Sequence, residues 1–193
     1  MVRLRAQSPA PRSLKKKALS KAIFTTGSKA ASSSPETTGG LTDPYAKDDV
    51  KNIAPPADGK IASGERPGAA YLDKTDVDWD KHDVASGASL DFVWSFRTRH
   101  KYRRFNYFIT KADWKAGEPL TRAQFEPQPF ATFLNELQPY WGFTDEQMWP
   151  AQPTTHTLEL PERQGYHVLL GVWEIAETDK AFYQVVDLDF VTS

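Results

Sequence analysis

The sequence predicts an all-β chain that folds as an antiparallel β-sandwich carrying a long irregular loop region. Several short segments after residue 69 alternate apolar and polar residues, which is typical of half-buried strands. The connections between these segments are long and rich in proline, and the sequence contains neither heptads nor internal repeats. The 193 residues suit one domain with an appendage, and 12% aromatic residues are enough for one sizeable core.

The N-terminal third has the composition of irregular structure. Residues 1–66 include "SKAASSSPETTGG", "APPADGK" and "GERPG", in which serine, glycine and proline favour turns and loops. We predict that residues 1–40 form a basic, low-complexity arm and that residues 41–193 form the sandwich domain.

Four later segments predict the strands of the sandwich. The clearest is "ASLDFVWSF", in which apolar residues occupy every second position from Leu90 to Phe96. "RRFNYFIT" repeats the pattern, and "GYHVLLGVWEI" and "AFYQVVDLDFV" predict two further strands. The short segment "ATFLNELQP" predicts one or two turns of helix.

Charge is distributed unevenly along the chain. Residues 1–35 contain eight lysines and arginines and no acidic residue, whereas the remaining residues carry 16 basic and 25 acidic side chains, a net charge of −9. This asymmetry predicts an arm that docks on an acidic surface, either of a partner or of the acidic body of the same protein. The residues that we expect to dock are Arg3, Arg5, Arg12, Lys15, Lys16 and Lys17.

The absence of cysteine excludes disulfides, thiolate catalysis and thiolate zinc sites, and it favours a chain that does not mature in an oxidising compartment. No apolar run approaches the ~20 residues of a membrane span. Lys15 to Lys17 interrupt the apolar core that a secretory signal needs. We therefore expect synthesis in the cytoplasm, with any export occurring without a cleaved signal or as part of an assembly.

Three stretches carry a resemblance to a known family: "PPADGKIASG", "FVWSFRTRHKYRRFNYFITKADWKAGEPLTRAQFE" and "RQGYHVLLGVWEIAETDKAFYQVVDLDF". They resemble, in order, the bacterial lytic polysaccharide monooxygenases, the chitin-binding type-four domain family. The resemblance extends from about Pro56 to Phe190. It implies an immunoglobulin- or fibronectin III-like sandwich, copper as the family's cofactor, and chitin or a related polysaccharide as a partner.

The resemblance also assigns residues to a site. His100, in the "RH" loop, matches one of the two histidines that bind copper in the family. Phe182 matches the aromatic residue on the axial side of the copper, and Glu177 matches an acidic residue near the metal. His156 and His167 match histidines that the family keeps off the metal, so we expect them to be hydrogen-bonded framework residues.

The family holds copper with three nitrogens, two of which come from an N-terminal histidine, and nitrogen ligands suit copper. Here "SPAPR" loosely resembles the opening of the family, and that register puts Arg3 where the first histidine stands. No histidine precedes His82, and the fixed positive charge of Arg3 repels copper. We therefore expect a weak, incomplete metal site at His100, no catalytic residue and no cofactor, with copper bound only if the family site survives.

The connection "PYWGFTDEQMWP" is unusually aromatic. It is a candidate sugar-stacking or partner surface, and the equally favoured alternative is a lid whose rings fold back onto the sheet. The candidate binding residues are Tyr140, Trp141, Phe143 and Trp149.

Three functions stay open, in decreasing order of support. The first is a non-catalytic protein that binds chitin or a similar polysaccharide. The second is a structural or assembly subunit that uses residues 1–40 as a docking strap to form a homo-oligomer or a larger assembly. The third is an active copper-dependent lytic polysaccharide monooxygenase.

Overall fold

The computed structural model describes residues 56–177 and 181–191 with their side chains, together with the backbone strand Val2–Gln7. These residues form eight strands: β1 Val2–Gln7, β2 His82–Ala85, β3 Ser89–Phe96, β4 Tyr102–Ile109, β5 Ala131–Leu134, β6 Thr154–Glu159, β7 Gly165–Ile175 and β8 Ala181–Val191. Four short 3-10 helices lie in the connections, at Pro67–Asp73, Arg122–Gln124, Tyr140–Gly142 and Glu146–Met148.

The strands form two sheets, and the predicted all-β sandwich is confirmed. One sheet has three strands in the order β1-β3-β6, and the other has five in the order β2-β8-β7-β4-β5. Neighbouring strands are antiparallel except for β2 and β8, which are parallel. In the part of the chain that the structure describes, no helix has the length and apolar character needed to cross a membrane.

The main core lies between the two sheets. Burial alternates along β3, and its inward residues Phe92 and Trp94 are completely buried. They meet Phe105 and Tyr107 of β4 and Trp173 of β7 in one cluster. Complete burial of a large apolar side chain contributes roughly 1.5–3 kcal/mol, so these aromatic rings form a rigid frame for the loops at each end of the strands.

The outer face of the five-stranded sheet is also covered. From His167 to Ile175 strand β7 is buried without alternation, which is typical of a strand packed on both faces. Ile61, Leu72 and Phe125, from the long connections before β2 and after β4, pack on Val168 and its neighbours. The predicted loop region therefore forms a second layer over this sheet.

Two sequence-based expectations are wrong. Val2–Gln7 was expected to be irregular but pairs with β3, from Val2 opposite Phe96 to Gln7 opposite Asp91. Ala131–Leu134 was expected to be helical but forms β5, because it pairs with β4 and places Phe133 opposite Phe105.

The predicted arm extends beyond β1 into residues that the structure does not describe. Arg3 and Arg5 belong to β1. Arg12 and Lys15 to Lys17 lie outside the described residues. The docking role of these six residues and the domain boundary at residue 40 stay predictions.

Candidate functional site

The histidine of the "RH" loop lies at one end of the sandwich, between β3 and β4. The loop runs from Arg97 to Lys101. The backbone N–H of Ala176, directly after β7, donates to the carbonyl oxygen of Lys101 at 2.9 Å. Because this bond ties the loop to the end of the central strand, His100 has a defined position at the edge of the core.

The imidazole of His100 is half-buried against two aromatic rings. It stacks on Phe182, with centroids 5.7 Å apart and planes 17° apart, and lies 5.8 Å from the ring of Trp173. Phe182 and Trp173 themselves stack at 4.6 Å. Burial lowers the pKa of His100, and the nearby charge of Asp145 opposes this shift. The structure thus brings together His100 and Phe182, which the resemblance had assigned to one site.

Glu177, the acidic residue of the predicted site, forms an ion pair with the loop that carries His100. Its Oε2 lies 2.5 Å from Nζ of Lys101, the residue after His100. Glu177 also adopts the left-handed backbone conformation, with φ at 58°, which is unfavourable for a residue with a Cβ by roughly 1–2 kcal/mol. The carboxylate that the resemblance places near a metal is therefore neutralised by a lysine.

The aromatic connection separates into buried and exposed rings. Tyr140 is only 1% exposed, and its hydroxyl donates to the carbonyl oxygen of Arg103 at 3.5 Å. It packs with Met148 and Ala176, and Phe143 is partly buried against the same cluster. The prediction of a stacking surface is therefore wrong for Tyr140, because its ring is folded back onto the sandwich and closed to a ligand.

Trp141 and Trp149 remain accessible on the same connection. Trp141 is 46% exposed. Trp149 is half-buried, and the guanidinium carbon of Arg99 lies 4.7 Å from its ring centroid, a cation–π contact. Since Arg99 precedes His100 and the connection packs on Ala176, both tryptophans lie at the His100 end of the sandwich. Their role in binding stays a prediction.

His156 belongs to the framework, as predicted. Trp94 donates its Nε1–H to the hydroxyl of Tyr107 at 2.7 Å, and this hydroxyl is hydrogen-bonded to Nδ1 of His156 at 2.6 Å. The imidazole also stacks on Phe133 at 3.9 Å. Burial lowers the pKa of His156 to about 4, which keeps the ring neutral near pH 7.

His167 is the second framework histidine, also as predicted. Its Nδ1 is hydrogen-bonded to the hydroxyl of Thr110 at 2.9 Å. Burial lowers the pKa of His167, and the charge of Arg163 adds to that effect. Neither framework histidine shares a site with His100.

The described side chains do not complete a copper site. A copper centre of the kind implied by the resemblance needs several nitrogen ligands, and His100 is the one imidazole that the described residues place at this end. Nowhere in residues 56–177 and 181–191 do three or more histidine, aspartate or glutamate side chains form a group that could hold a metal.

Sequence reasoning missed three members of this site. Arg99 and Lys101 flank His100 in "RTRHK", and Trp173 is one ring of the strand "GYHVLLGVWEI". A strand pattern showed that Trp173 is buried, but it could not show that the ring lies under His100. That contact depends on the register of β7 against β8, in which Trp173 faces Phe182.

The fold and the position of the histidine loop define an immunoglobulin-like sandwich with an aromatic-lined histidine at one end. The chain belongs to the lytic polysaccharide monooxygenase family. The pattern of that family, described as cellulose-degrading lytic polysaccharide mono-oxygenase, matches residues 5–188.

Sequence relatives carry names that refer to a sugar. The GlcNAc-binding protein A of Vibrio vulnificus strain YJ016 is 38% identical over 136 residues, 70% of this chain and 26% of the relative. The protein of the same name from Vibrio cholerae strain O395 is 34% identical over 139 residues, 72% of this chain and 26% of the relative. The chain thus spans about a quarter of the length of these relatives.

Solved structures give the same family. A chitin binding domain from Burkholderia pseudomallei is 39% identical with a TM-score of 0.78, covering 99% of this chain and 100% of that one. An AA10 lytic polysaccharide monooxygenase from Streptomyces lividans is 32% identical with a TM-score of 0.62, covering 71% and 77%. A Bacillus amyloliquefaciens protein solved with Cu(I) is 32% identical with a TM-score of 0.57, covering 72% and 73%.

Proposed function

We propose that the chain binds chitin or a chemically related polysaccharide through the His100 end of the sandwich, without oxidising it. The observation that carries the proposal is the exposed ring of Trp141 at the same end as the Arg99–Trp149 pair. The likeness to a chitin binding domain over nearly the whole chain supports the ligand class.

The chemistry of these side chains suits a polysaccharide surface. Large aromatic rings with one accessible face contribute much of the binding energy at interfaces, because they bury a large area while losing little conformational entropy. Trp141 offers such a ring, and its neighbours Tyr140 and Phe143 anchor the connection to the body of the protein. The guanidinium of Arg99, placed over Trp149, supplies hydrogen-bond donors for sugar hydroxyl or amide oxygens beside that ring.

The absence of oxidation is part of the proposal and rests on the ligand set. Among the described side chains of this end, His100 supplies one imidazole, and the carboxylate of Glu177 is paired with Lys101. The backbone of β1 begins beside the His100 loop, where Arg3 pairs with Ser95, and the resemblance assigns the position of Arg3 to the missing histidine. A positively charged side chain in that position opposes binding of a copper cation.

Binding is tested with crystalline chitin. We expect the wild-type protein to sediment with chitin and Trp141→Ala to bind at least about tenfold more weakly, the effect of losing about 1.4 kcal/mol at a central aromatic residue. Tyr71→Ala is the matched control, because Tyr71 is 47% exposed in the 3-10 helix Pro67–Asp73, away from this surface. Equal retention of the two variants on chitin would contradict the assignment to Trp141.

Oxidation is tested separately with the same protein. Incubation with copper, a reductant and chitin is expected to release no oxidised oligosaccharides above a metal-free control. Release of oxidised oligosaccharides would overturn the proposal that the protein is non-catalytic, but it would not affect the proposed binding surface.

A further inference from the structure

A second concave site lies in the loop layer over the five-stranded sheet. It is a cavity of about 230 Å³. Three aromatic residues form much of its wall, namely Trp79, Trp114 and Tyr166, and Leu72 and Val77 add aliphatic surface. All three residues are half-buried.

This aromatic pocket is remote from the His100 end. Tyr166 is the second residue of β7, whereas Ile175 at the other end of that strand pairs with Tyr102, next to the His100 loop. Nine residues of extended strand cover roughly 30 Å at about 3.3 Å per residue. The pocket is therefore a separate site and not an extension of the surface around Trp141.

Hydrogen bonds fix the walls of the pocket. Trp114 donates its Nε1–H to the carbonyl oxygen of Tyr166 at 2.8 Å, and Trp79 donates to that of Lys74 at 3.0 Å. The hydroxyl of Tyr166 donates to the buried Asp187 at 2.5 Å. The rings of Trp114 and Tyr166 meet edge to face, with centroids 5.2 Å apart and planes 72° apart. Because hydrogen bonds hold both rings in place, these walls need little rearrangement to receive a ligand.

The rim of the pocket carries charges of both signs. Nζ of Lys81 lies 5.0 Å from the ring centroid of Tyr166 and is bonded to Asp78 at 2.9 Å. Asp73, Lys74 and Glu118 also line the opening. Mixed charges over aromatic walls give no preference for a strongly charged ligand, but they supply both donors and acceptors. That combination suits a neutral ring rich in hydroxyl groups.

We propose that this aromatic pocket binds one neutral pyranose ring. The volume is below the ~300–1,000 Å³ of sites for drug-sized ligands, which limits the occupant to a single ring, either a free monosaccharide or the end of a chain. We choose N-acetylglucosamine as the probe because it is the repeating unit of chitin, so this choice rests on the proposed polysaccharide function. The pocket adds a second point of sugar contact, at the opposite end of the protein from the polymer-binding surface.

The test is saturation-transfer NMR with N-acetylglucosamine at several millimolar, since one ring of this size is expected to bind with a Kd on the order of 1 mM. Wild-type protein is expected to transfer saturation to the sugar. Ala116→Trp, which fills the pocket, is expected to abolish the signal, whereas Ala112→Trp on the same loop but outside the lining is expected to retain it. Val77→Trp, at another lining position, also fills the pocket and replaces Ala116→Trp if that variant fails to fold.

Measuring each variant in both assays distinguishes the pocket from the polysaccharide-binding surface. Trp141→Ala is expected to lose binding to crystalline chitin and to keep the saturation-transfer signal of N-acetylglucosamine. Ala116→Trp is expected to keep binding to chitin and to lose that signal. Chitin binding without any pocket-dependent sugar signal would overturn the pocket alone, and a pocket-dependent signal without chitin binding would overturn the polysaccharide function alone. A signal that persists in both pocket-filling variants would also overturn the pocket. Signals stronger with chitotetraose than with the monosaccharide would assign the pocket to chain ends.

Discussion

His156 and His100 lie in one sandwich and are used in opposite ways. His156 is buried between the sheets, bonded to the hydroxyl of Tyr107 and stacked on Phe133. His100 lies at the end of the strands, half-buried, with Phe182 and Trp173 on its ring. No side-chain hydrogen bond to His100 occurs among the described residues. The interior contacts the ring of its histidine and hydrogen-bonds one of its nitrogens, whereas the described residues at the end of the strands contact the ring of His100.

The difference shows that the framework and the end region depend on different kinds of contact. The bond from Trp94 to Tyr107 and on to His156 satisfies buried polar atoms, so removing any member leaves an unsatisfied group in the core. The contacts of His100 lie at the rim, where substitution disturbs few neighbours. We therefore expect substitutions at the end region to cost less stability than substitutions in the core.

The largest effect is expected in the core between the sheets. Phe105→Ala should lower the free energy of unfolding by about 3–5 kcal/mol, the usual result of a cavity left by a buried phenylalanine. Phe105 is 0% exposed and contacts Trp94 and His156 by ring edges at 5.2 and 4.8 Å. Phe182→Ala, at the His100 end, is the matched comparison and should lose clearly less, because its ring is only partly buried. Urea unfolding measures the stability of both variants. An equal loss in the two would contradict the distinction between the core and the His100 end of the sandwich.

The second largest effect is expected in the pH dependence of the free energy of unfolding, to which His156 contributes. Its pKa is about 4 in the folded protein and near 6.5 when unfolded, so below pH 6.5 the unfolded chain binds a proton that the folded chain refuses. This group should therefore reduce stability as pH falls from about 6.5 to about 4, by about 3 kcal/mol over the whole window.

A pair of proteins isolates this contribution. His156→Gln should be less stable than wild type at pH 7, and the gap should narrow steadily towards pH 4.5, because the variant lacks the titrating ring. Urea unfolding at a series of pH values measures the gap. A gap that stays constant would show that the folded protein accommodates a protonated His156.

Much of the fold could be predicted from the alternation of apolar and polar residues, because the apolar face of each such strand packs into the core. The alternation from Ser89 to Phe96 appears in the structure as alternating burial, because one face of β3 meets the other sheet. The alternation of "VRLRAQ" was equally present at the N-terminus, but the surrounding basic composition favoured an arm. Ala131–Leu134 is too short for its pattern to separate helix from strand, so its pairing with β4 decided the outcome.

The sequence predicted the residues of the site that the resemblance names. It did not predict which aromatic side chains are buried, because that depends on packing. His100 and Phe182 lie together as the family register implies. Tyr140 and Trp141 are adjacent and chemically similar, yet one is 1% exposed and the other 46%. Which ring turns inward depends on the 3-10 helix Tyr140–Gly142 and on the cluster around Met148, neither of which composition reveals.

The smallest effect is expected at His100 itself. His100→Ala should lower the free energy of unfolding at pH 7 by about 1 kcal/mol or less, since a ring contact at a partly exposed position contributes about 0.5–1.5 kcal/mol at most. His100→Phe keeps a ring on Phe182 and Trp173 while removing the imidazole nitrogens, so its stability should stay within about 0.5 kcal/mol of wild type. Urea unfolding of the two variants separates ring packing from nitrogen chemistry. A loss of several kcal/mol in both variants would show that an imidazole nitrogen of His100 belongs to the framework, as Nδ1 of His156 does, and would remove the contrast between the two regions.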